Sequence, residues 1–204
     1  MAASPVAAAS LASPRLPLVL ASASPQRREI LSRIGVEFTV RASGVAELQD
    51  GEPREVALQN ALLKARAVAR PDVREAVLGA DTLVELDGAI YGKPADEDAA
   101  RRTLQALGGR THSVHTGVAL LLAGREPTPG RELTAVVSTA VSFRPLSEEL
   151  LRWCLRSGQW RDKSGAYAIQ GFGAALVRRI DGDYENVVGL PVATLIDLWP
   201  ELLS

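Results

Sequence analysis

One cysteine, Cys154, stands in a chain of 204 residues, so neither an intrachain disulfide nor a thiolate metal cluster can form. Histidine is nearly as scarce, with only His112 and His115. In strand-like sequence a spacing of three puts these two on opposite faces, which makes them a poor metal pair. Aromatic residues make up 4% of the chain, and Trp153, Trp160 and Trp199 read as packing residues rather than base-stacking platforms. Neither sign of charge dominates. The formal net charge is −1, so no global positive field or basic stripe advertises nucleic acid, and any basic site has to be local. No apolar run approaches the roughly 18 residues that would span a bilayer. No G-x-G-x-x-G or Walker pattern appears, which argues against Rossmann and P-loop phosphate sites. These absences leave the expectation of a cytoplasmic protein that binds neither membrane nor nucleic acid.

With 47% hydrophobic and 23% charged residues, the chain has enough apolar material for one globular domain, or one domain with two lobes. Residues 1–17 stand apart. They are rich in Ala, Ser and Pro, carry no Lys or Arg before Arg15, and are interrupted by Pro5 and Pro14; they read as a disordered N-terminal extension. The domain is expected over 18–204. Within it, apolar strand patterns at 17–22, 36–42, 76–86, 112–123, 132–144 and 174–180 interleave with helical patterns at 24–35, 53–70, 96–107, 147–158 and 191–204. The helix at 24–35 has a Ser24 cap, Pro25 at its first position and Gly35 as its stop. Asp87-Gly88 reads as a hairpin turn, and the Pro/Gly-rich loop 124–131 joins two strands. Interleaved helices and hairpins predict an α/β fold with a mixed sheet and flanking helices.

Several residues stand out chemically. Ser22, Ser24, Arg27 and Arg28 cluster at the mouth of the first helix, where backbone N–H groups, hydroxyls and guanidinium forks suit phosphate oxygens. The alternative there is an ordinary helix start with a solvated basic face. Asp81 closes the apolar run Ala76-Val-Leu-Gly-Ala80, a position where a carboxylate needs a partner. It reads as a general base, a magnesium ligand or a carboxylate bonded to a neighbouring loop. Glu47 is a possible second carboxylate. Lys64 and Lys93 can each hold a phosphate as point charges. Lys163 and Gln170 lie in a Gly-rich segment where backbone can approach a ligand closely. Cys154 reads as a small core residue in an amphipathic helix.

Taken together, ASASPQRREILSRIG (21–35), the long stretch from LGADT (78–82) through YGKP (91–94) to HTGVAL (115–120), and DKSGAYAIQG (162–171) with its continuation to GLPV (189–192) resemble the Maf family. These are nucleoside triphosphate pyrophosphatases, historically called septum formation inhibitors. The resemblance runs from about Leu18 to the C-terminus. It implies a fold like that of the inosine triphosphate pyrophosphatases, two lobes around a cleft. It also implies hydrolysis of a nucleoside triphosphate to the monophosphate and pyrophosphate with a divalent metal, Mg²⁺ first and Mn²⁺ or Co²⁺ as alternatives, and it suggests a homodimer. Carried over by motif, the general base falls on Asp81, and the substrate-binding residues on Ser22, Ser24, Arg27, Lys64, Lys93 and Gln170. The metal ligands fall on Glu47 and Asp81. The residues that separate the dTTP/UTP branch from the 7-methyl-GTP branch fall on Gln26, Thr82 and Gln170. Thr82 and Gln170 match the dTTP/UTP branch, whereas Gln26 stands where that branch has arginine. A carboxylate pair near position 47 is reduced to Ala46-Glu47. The competing expectations are a 7-methyl-GTP or other modified-nucleotide pyrophosphatase, and a non-catalytic nucleotide-binding regulator of cell division.

Overall fold

The computed structural model describes residues 16–124 and 130–203. The expected N-terminal extension lies outside the described residues except for Leu16 and Pro17, and so do positions 125–129 of the expected 124–131 loop. Seven strands form one mixed sheet in the order β2-β1-β3-β5-β6-β7, with β4 paired to β3 off this path. The strands are β1 (Leu18–Leu20), β2 (Phe38–Val40), β3 (Ala76–Leu86), β4 (Ala89–Tyr91), β5 (Thr111–Leu122), β6 (Arg131–Phe143) and β7 (Val177–Asp181). β1 runs parallel to both β2 and β3, and every other pair is antiparallel. The helices are α1 (Pro25–Arg33), α2 (Pro53–Val68), α3 (Glu97–Leu107), α4 (Glu148–Arg156), α5 (Tyr184–Val188) and α6 (Val192–Leu198). The expected α/β class and mixed sheet are therefore what the chain adopts.

Local chemistry explains the boundaries. The Ser24 side chain accepts from the Arg27 amide and Pro25 occupies the first turn, so α1 starts where its cap allows. Asp96 and Ser147 cap α3 and α4 in the same way. Asp87 and Gly88 both have positive φ, 53° and 80°, the twist that a two-residue β3–β4 turn requires. The helix α5 differs from expectation, which had only a turn at 181–184. It is five residues long, too short to show a 3.6-residue period. It exists because the Asp183 side chain takes the first two free amides, those of Glu185 and Asn186.

Alternation along the central strands sorts the chain into packed layers. Leu18, Leu20, Ala76, Leu78 and Ala80 point to one face, where α1 and the C-terminal helical turns cover them through Ile30, Leu31, Leu195 and Trp199. Val19, Ala21 and Val77 point to the other, under Ala61, Leu62 and Ala65 of α2. Beyond Asp81 the same β3 strand enters a separate core, in which Val84 and Leu86 pack with Leu104, Leu107, Leu151 and Leu155 of α3 and α4. Cys154 is buried in that second core, as expected. The packing on β3 before Asp81 and the packing beyond it leave a cleft between them.

His112 belongs to the second core. Its Nε2 lies 2.9 Å from the Tyr167 hydroxyl, and its ring meets Phe143 edge-on at 4.8 Å. Burial lowers its pKa to about 4, so it folds as the neutral imidazole. Its contribution to stability is complete above about pH 6.5, the unfolded value, and is lost as pH falls toward 4. Over that window the wild type is expected to lose about 3 kcal/mol more stability than His112→Gln. Denaturant unfolding of both proteins at pH 7 and pH 4 measures the difference.

Candidate active site

The cleft holds a cavity of about 460 Å³ whose floor and walls come from eight parts of the chain, among them Val114 of β5 and Val187 to Gly189 beside the six that follow. It lies beyond the C-terminal end of β1, beside which β2 and β3 diverge to opposite sides, the kind of place where open α/β sheets bind ligands. The turn after β1 brings Ser22, Ser24, Gln26 and Arg27. β3 brings Asp81 and Thr82, α2 brings Lys64, and the irregular chain after β2 brings Glu47. Lys93 follows β4, and the segment 162–170 brings Lys163 and Gln170. All the residues assigned to the site from sequence thus line one cavity, including the three assigned to specificity. Arg28 does not. It is exposed, as the solvated-face reading of that residue had it.

Strand alternation places the two key β3 residues on opposite faces. Asp81 points toward α2. Its Oδ1 is 2.5 Å from Lys64 Nζ, and its Oδ2 accepts from Asn60 Nδ2 at 3.0 Å. The same Lys64 ammonium sits 2.7 Å from Glu47 Oε1, and Lys93 lies 3.5 Å from Glu47 Oε2. One buried lysine therefore bridges two carboxylates. Desolvation raises the Glu47 pKa, but the hydrogen bond and charge of Lys64, with those of Lys93, outweigh it and hold the carboxyl below its ordinary value. Among the described residues no group of three His, Cys, Asp or Glu gathers to hold a metal unaided.

Thr82 points the other way, toward α1 and α5. The Arg27 guanidinium donates through Nη2 to Thr82 Oγ1 at 3.0 Å, through Nη1 to Ser22 Oγ at 3.0 Å and through Nε to the Gly189 carbonyl at 2.8 Å. Burial lowers its pKa, and the charges of Asp81 and Glu47 counter part of that effect. Thr116 donates to the Asn186 carbonyl at 3.0 Å, so its single proton is used. Thr82, 2.9 Å away, must then donate to Thr116 while accepting from Arg27. The hydroxyl assigned to specificity is thus engaged in bracing Arg27. Ser22 Oγ accepts twice, from the Ser24 amide and from Arg27, which leaves its own proton to donate into the cavity. Gln26 Oε1 accepts from the Ser24 hydroxyl at 3.2 Å. Gln170 is exposed at the cavity rim.

The sequence reading did not single out Asn60, which lies one helical turn before Lys64 on the same face of α2. Its only sequence signal is a polar amide inside an apolar helix face. Also unforeseen was Ser164, whose hydroxyl donates to the Thr82 carbonyl at 2.9 Å and ties the 162–170 segment to β3.

Comparison with known proteins adds a family. A family model described as Maf-like protein matches residues 17–202. A dTTP/UTP pyrophosphatase of Pyrococcus furiosus is 44% identical over 183 residues, covering 89% of this chain and 93% of its own. One of Moorella thermoacetica is 48% identical, covering 89% and 92%. One of an Anaeromyxobacter species is 49% identical, covering 89% and 87%.

Proposed function

The chain belongs to the Maf family, and from that premise we propose that it hydrolyses dTTP and UTP to the monophosphate and pyrophosphate. The observation that carries this reading is the lysine-bridged carboxylate pair at the foot of the cavity, with unspent donors around it. Relatives named dTTP/UTP pyrophosphatase, 44–49% identical over nearly the whole chain, support the substrate class.

The chemistry follows from the donors present. A water oxygen attacks the α-phosphorus, the bond from that phosphorus to the α,β-bridging oxygen breaks, and pyrophosphate leaves with the electron pair. Asp81 accepts the proton of the attacking water. The nucleotide carries nearly four negative charges, so oxygen donors and cations have to face it. Ser22 offers its unused hydroxyl proton, Lys64 its third N–H, and Lys93 a half-exposed ammonium. Arg27 spends three of its five N–H groups on the protein, so it acts mainly by holding Ser22 and the helix mouth in place.

A divalent cation fits this donor set. Asp81 and Glu47 are hard oxygen ligands facing one cavity, and each carboxylate oxygen keeps a lone pair beyond its partner, which is Lys64, Asn60 or Lys93. Two carboxylates with phosphate oxygens and water suit Mg²⁺, which is seldom held in an all-protein cage. When bound, the ion would neutralise charge developing on the phosphates.

Gln170 at the rim carries the base preference. A neutral amide pairs with the carbonyls and N3–H of thymine or uracil, whereas the donor edge of guanine calls for a carboxylate. Pyrophosphate release with Mg²⁺ across dTTP, UTP, CTP, GTP and 7-methyl-GTP tests the reading, with Asp81→Asn run beside the wild type. The expected result is preference for dTTP and UTP and a loss of about 10³-fold in turnover in Asp81→Asn. Preference for 7-methyl-GTP would overturn the base assignment. Full turnover by folded Asp81→Asn would remove Asp81 as the base.

A further inference from the structure

Asn60 is almost completely buried, and both ends of its amide are used. Its Oδ1 accepts from the Leu48 amide at 2.7 Å. Its Nδ2 donates to the Leu48 carbonyl at 3.1 Å and to Asp81 Oδ2 at 3.0 Å. The orientation of the amide is fixed by these partners, because the flipped amide would set its oxygen against both the Leu48 carbonyl and the Asp81 carboxylate. One side chain thus grips the backbone next to Glu47 from both sides and holds the other carboxylate of the pair. The chain from 41 to 52 has no helix or strand of its own, so Glu47 is not placed by any regular element. Lys64 attracts Glu47 electrostatically, but a charge on a flexible stem sets no register. The pair of hydrogen bonds between Asn60 and the Leu48 backbone does.

We infer that Asn60 is a positioning residue that fixes the Glu47 segment and the Asp81 carboxylate relative to one another, so that the two carboxylates face the cavity as a preset pair. The inference rests on the proposed reaction for its kinetic consequence, but not for its structural one. A misplacement of about 1 Å between reacting groups costs roughly 100-fold in rate, so the effect falls on turnover rather than on nucleotide binding, which other residues carry.

Two variants separate the parts. Asn60→Leu removes all three bonds and places an apolar side chain on an apolar helix face, where it folds. Asn60→Asp keeps an acceptor for the Leu48 amide but loses both donors and sets a second carboxylate against Asp81. Amide hydrogen exchange reads the clamp directly, since the Leu48 N–H, in an irregular segment, donates to Asn60 Oδ1 and to no other acceptor among the described residues. Protection at Leu48 is expected in the wild type and in Asn60→Asp, with roughly tenfold faster exchange in Asn60→Leu. Pyrophosphate release is expected to fall about 30- to 100-fold in kcat for both variants, with KM within about twofold of wild type. Mn²⁺ affinity of the nucleotide-free protein, read by electron paramagnetic resonance, is expected to weaken in Asn60→Leu, which scatters the pair and adds no charge. Free exchange of Leu48 in the wild type would overturn the clamp. Unchanged kcat and Mn²⁺ affinity in folded Asn60→Leu would overturn the positioning role. If the wild type releases no pyrophosphate from any nucleotide, the proposed reaction falls instead, and exchange and Mn²⁺ affinity still decide the role of Asn60.

Discussion

Lys64→Met is expected to lower turnover by about 10³-fold and to destabilise the fold by about 3 kcal/mol. Lys64 and Asp81 are only 8% and 7% exposed, so their pairing is not a solvent-screened surface bridge. Removing the ammonium leaves Asp81 and Glu47 facing each other without the cation that bridges them at 2.5 and 2.7 Å. Methionine fills the stem volume and supplies no charge, which separates the electrostatic loss from a packing loss. The penalty arises from the charges left behind, so a second change can remove it. Lys64→Met with Glu47→Gln is expected to recover part of the stability and none of the turnover. Thermal unfolding and pyrophosphate release on the three proteins check both statements. Equal melting of Lys64→Met and the double variant would mean that the carboxylate pair is not what Lys64 stabilises.

A comparable effect is expected from a single methyl group placed under α2. A Cβ built at Gly117 comes 2.3 Å from the Ala57 carbonyl oxygen, and one built at Gly79 comes 2.2 Å from that of Ala61. Both neighbours are helix backbone and cannot rotate aside. The two glycines sit on β5 and β3 and let α2 lie close against the sheet, which brings Asn60 and Lys64 within hydrogen-bonding reach of Asp81. Gly117→Ala is expected to destabilise by about 3 kcal/mol. It should also cut turnover at least tenfold in the protein that still folds, because lifting α2 separates Lys64 from Asp81. Gly92→Ala is the control. It lies beside the same cavity, yet the nearest atom to its new Cβ is a side-chain oxygen at 3.7 Å. Circular dichroism melts and the pyrophosphate assay distinguish the two.

Much of this architecture was readable from residue order. The strand over 76–86 has the expected bounds, because an apolar run ending at an Asp-Gly turn leaves little alternative. The helix α1 begins at its expected Ser24 cap, and α4 begins where the helical pattern at 147–158 does. Asp81 stood out because a carboxylate beside a buried run needs a partner. What sequence did not reveal is how the partners are distributed. Arg27 looks like a phosphate ligand from its neighbours, yet its Nε bond goes to the carbonyl of Gly189, 162 positions away. Backbone carbonyls carry no side-chain signature, so that engagement has no trace in the sequence. Asn60 escaped for a related reason. Its partners are a backbone amide and carbonyl in an unpatterned segment and a carboxylate 21 positions on. Thr82 was assigned to specificity, and its hydroxyl turns out to be the middle of a one-way proton chain from Arg27 to the Asn186 carbonyl.

The eleven residues of β3 pass from one core into the other with Asp81 at their midpoint, and β5 does the same beside it, with Val118 and Leu120 in the first core and Val114 in the second. Two bodies joined by a flexible linker can swing about it as a hinge. These two are instead welded by a continuous ladder of paired strands, so the jaws of the cleft cannot part without shearing the sheet itself. The lips of the cleft, the irregular chain at 41–52 and the segment 159–171 with its single 3₁₀ turn, lie outside that ladder, so any adjustment to a ligand falls to them rather than to the floor.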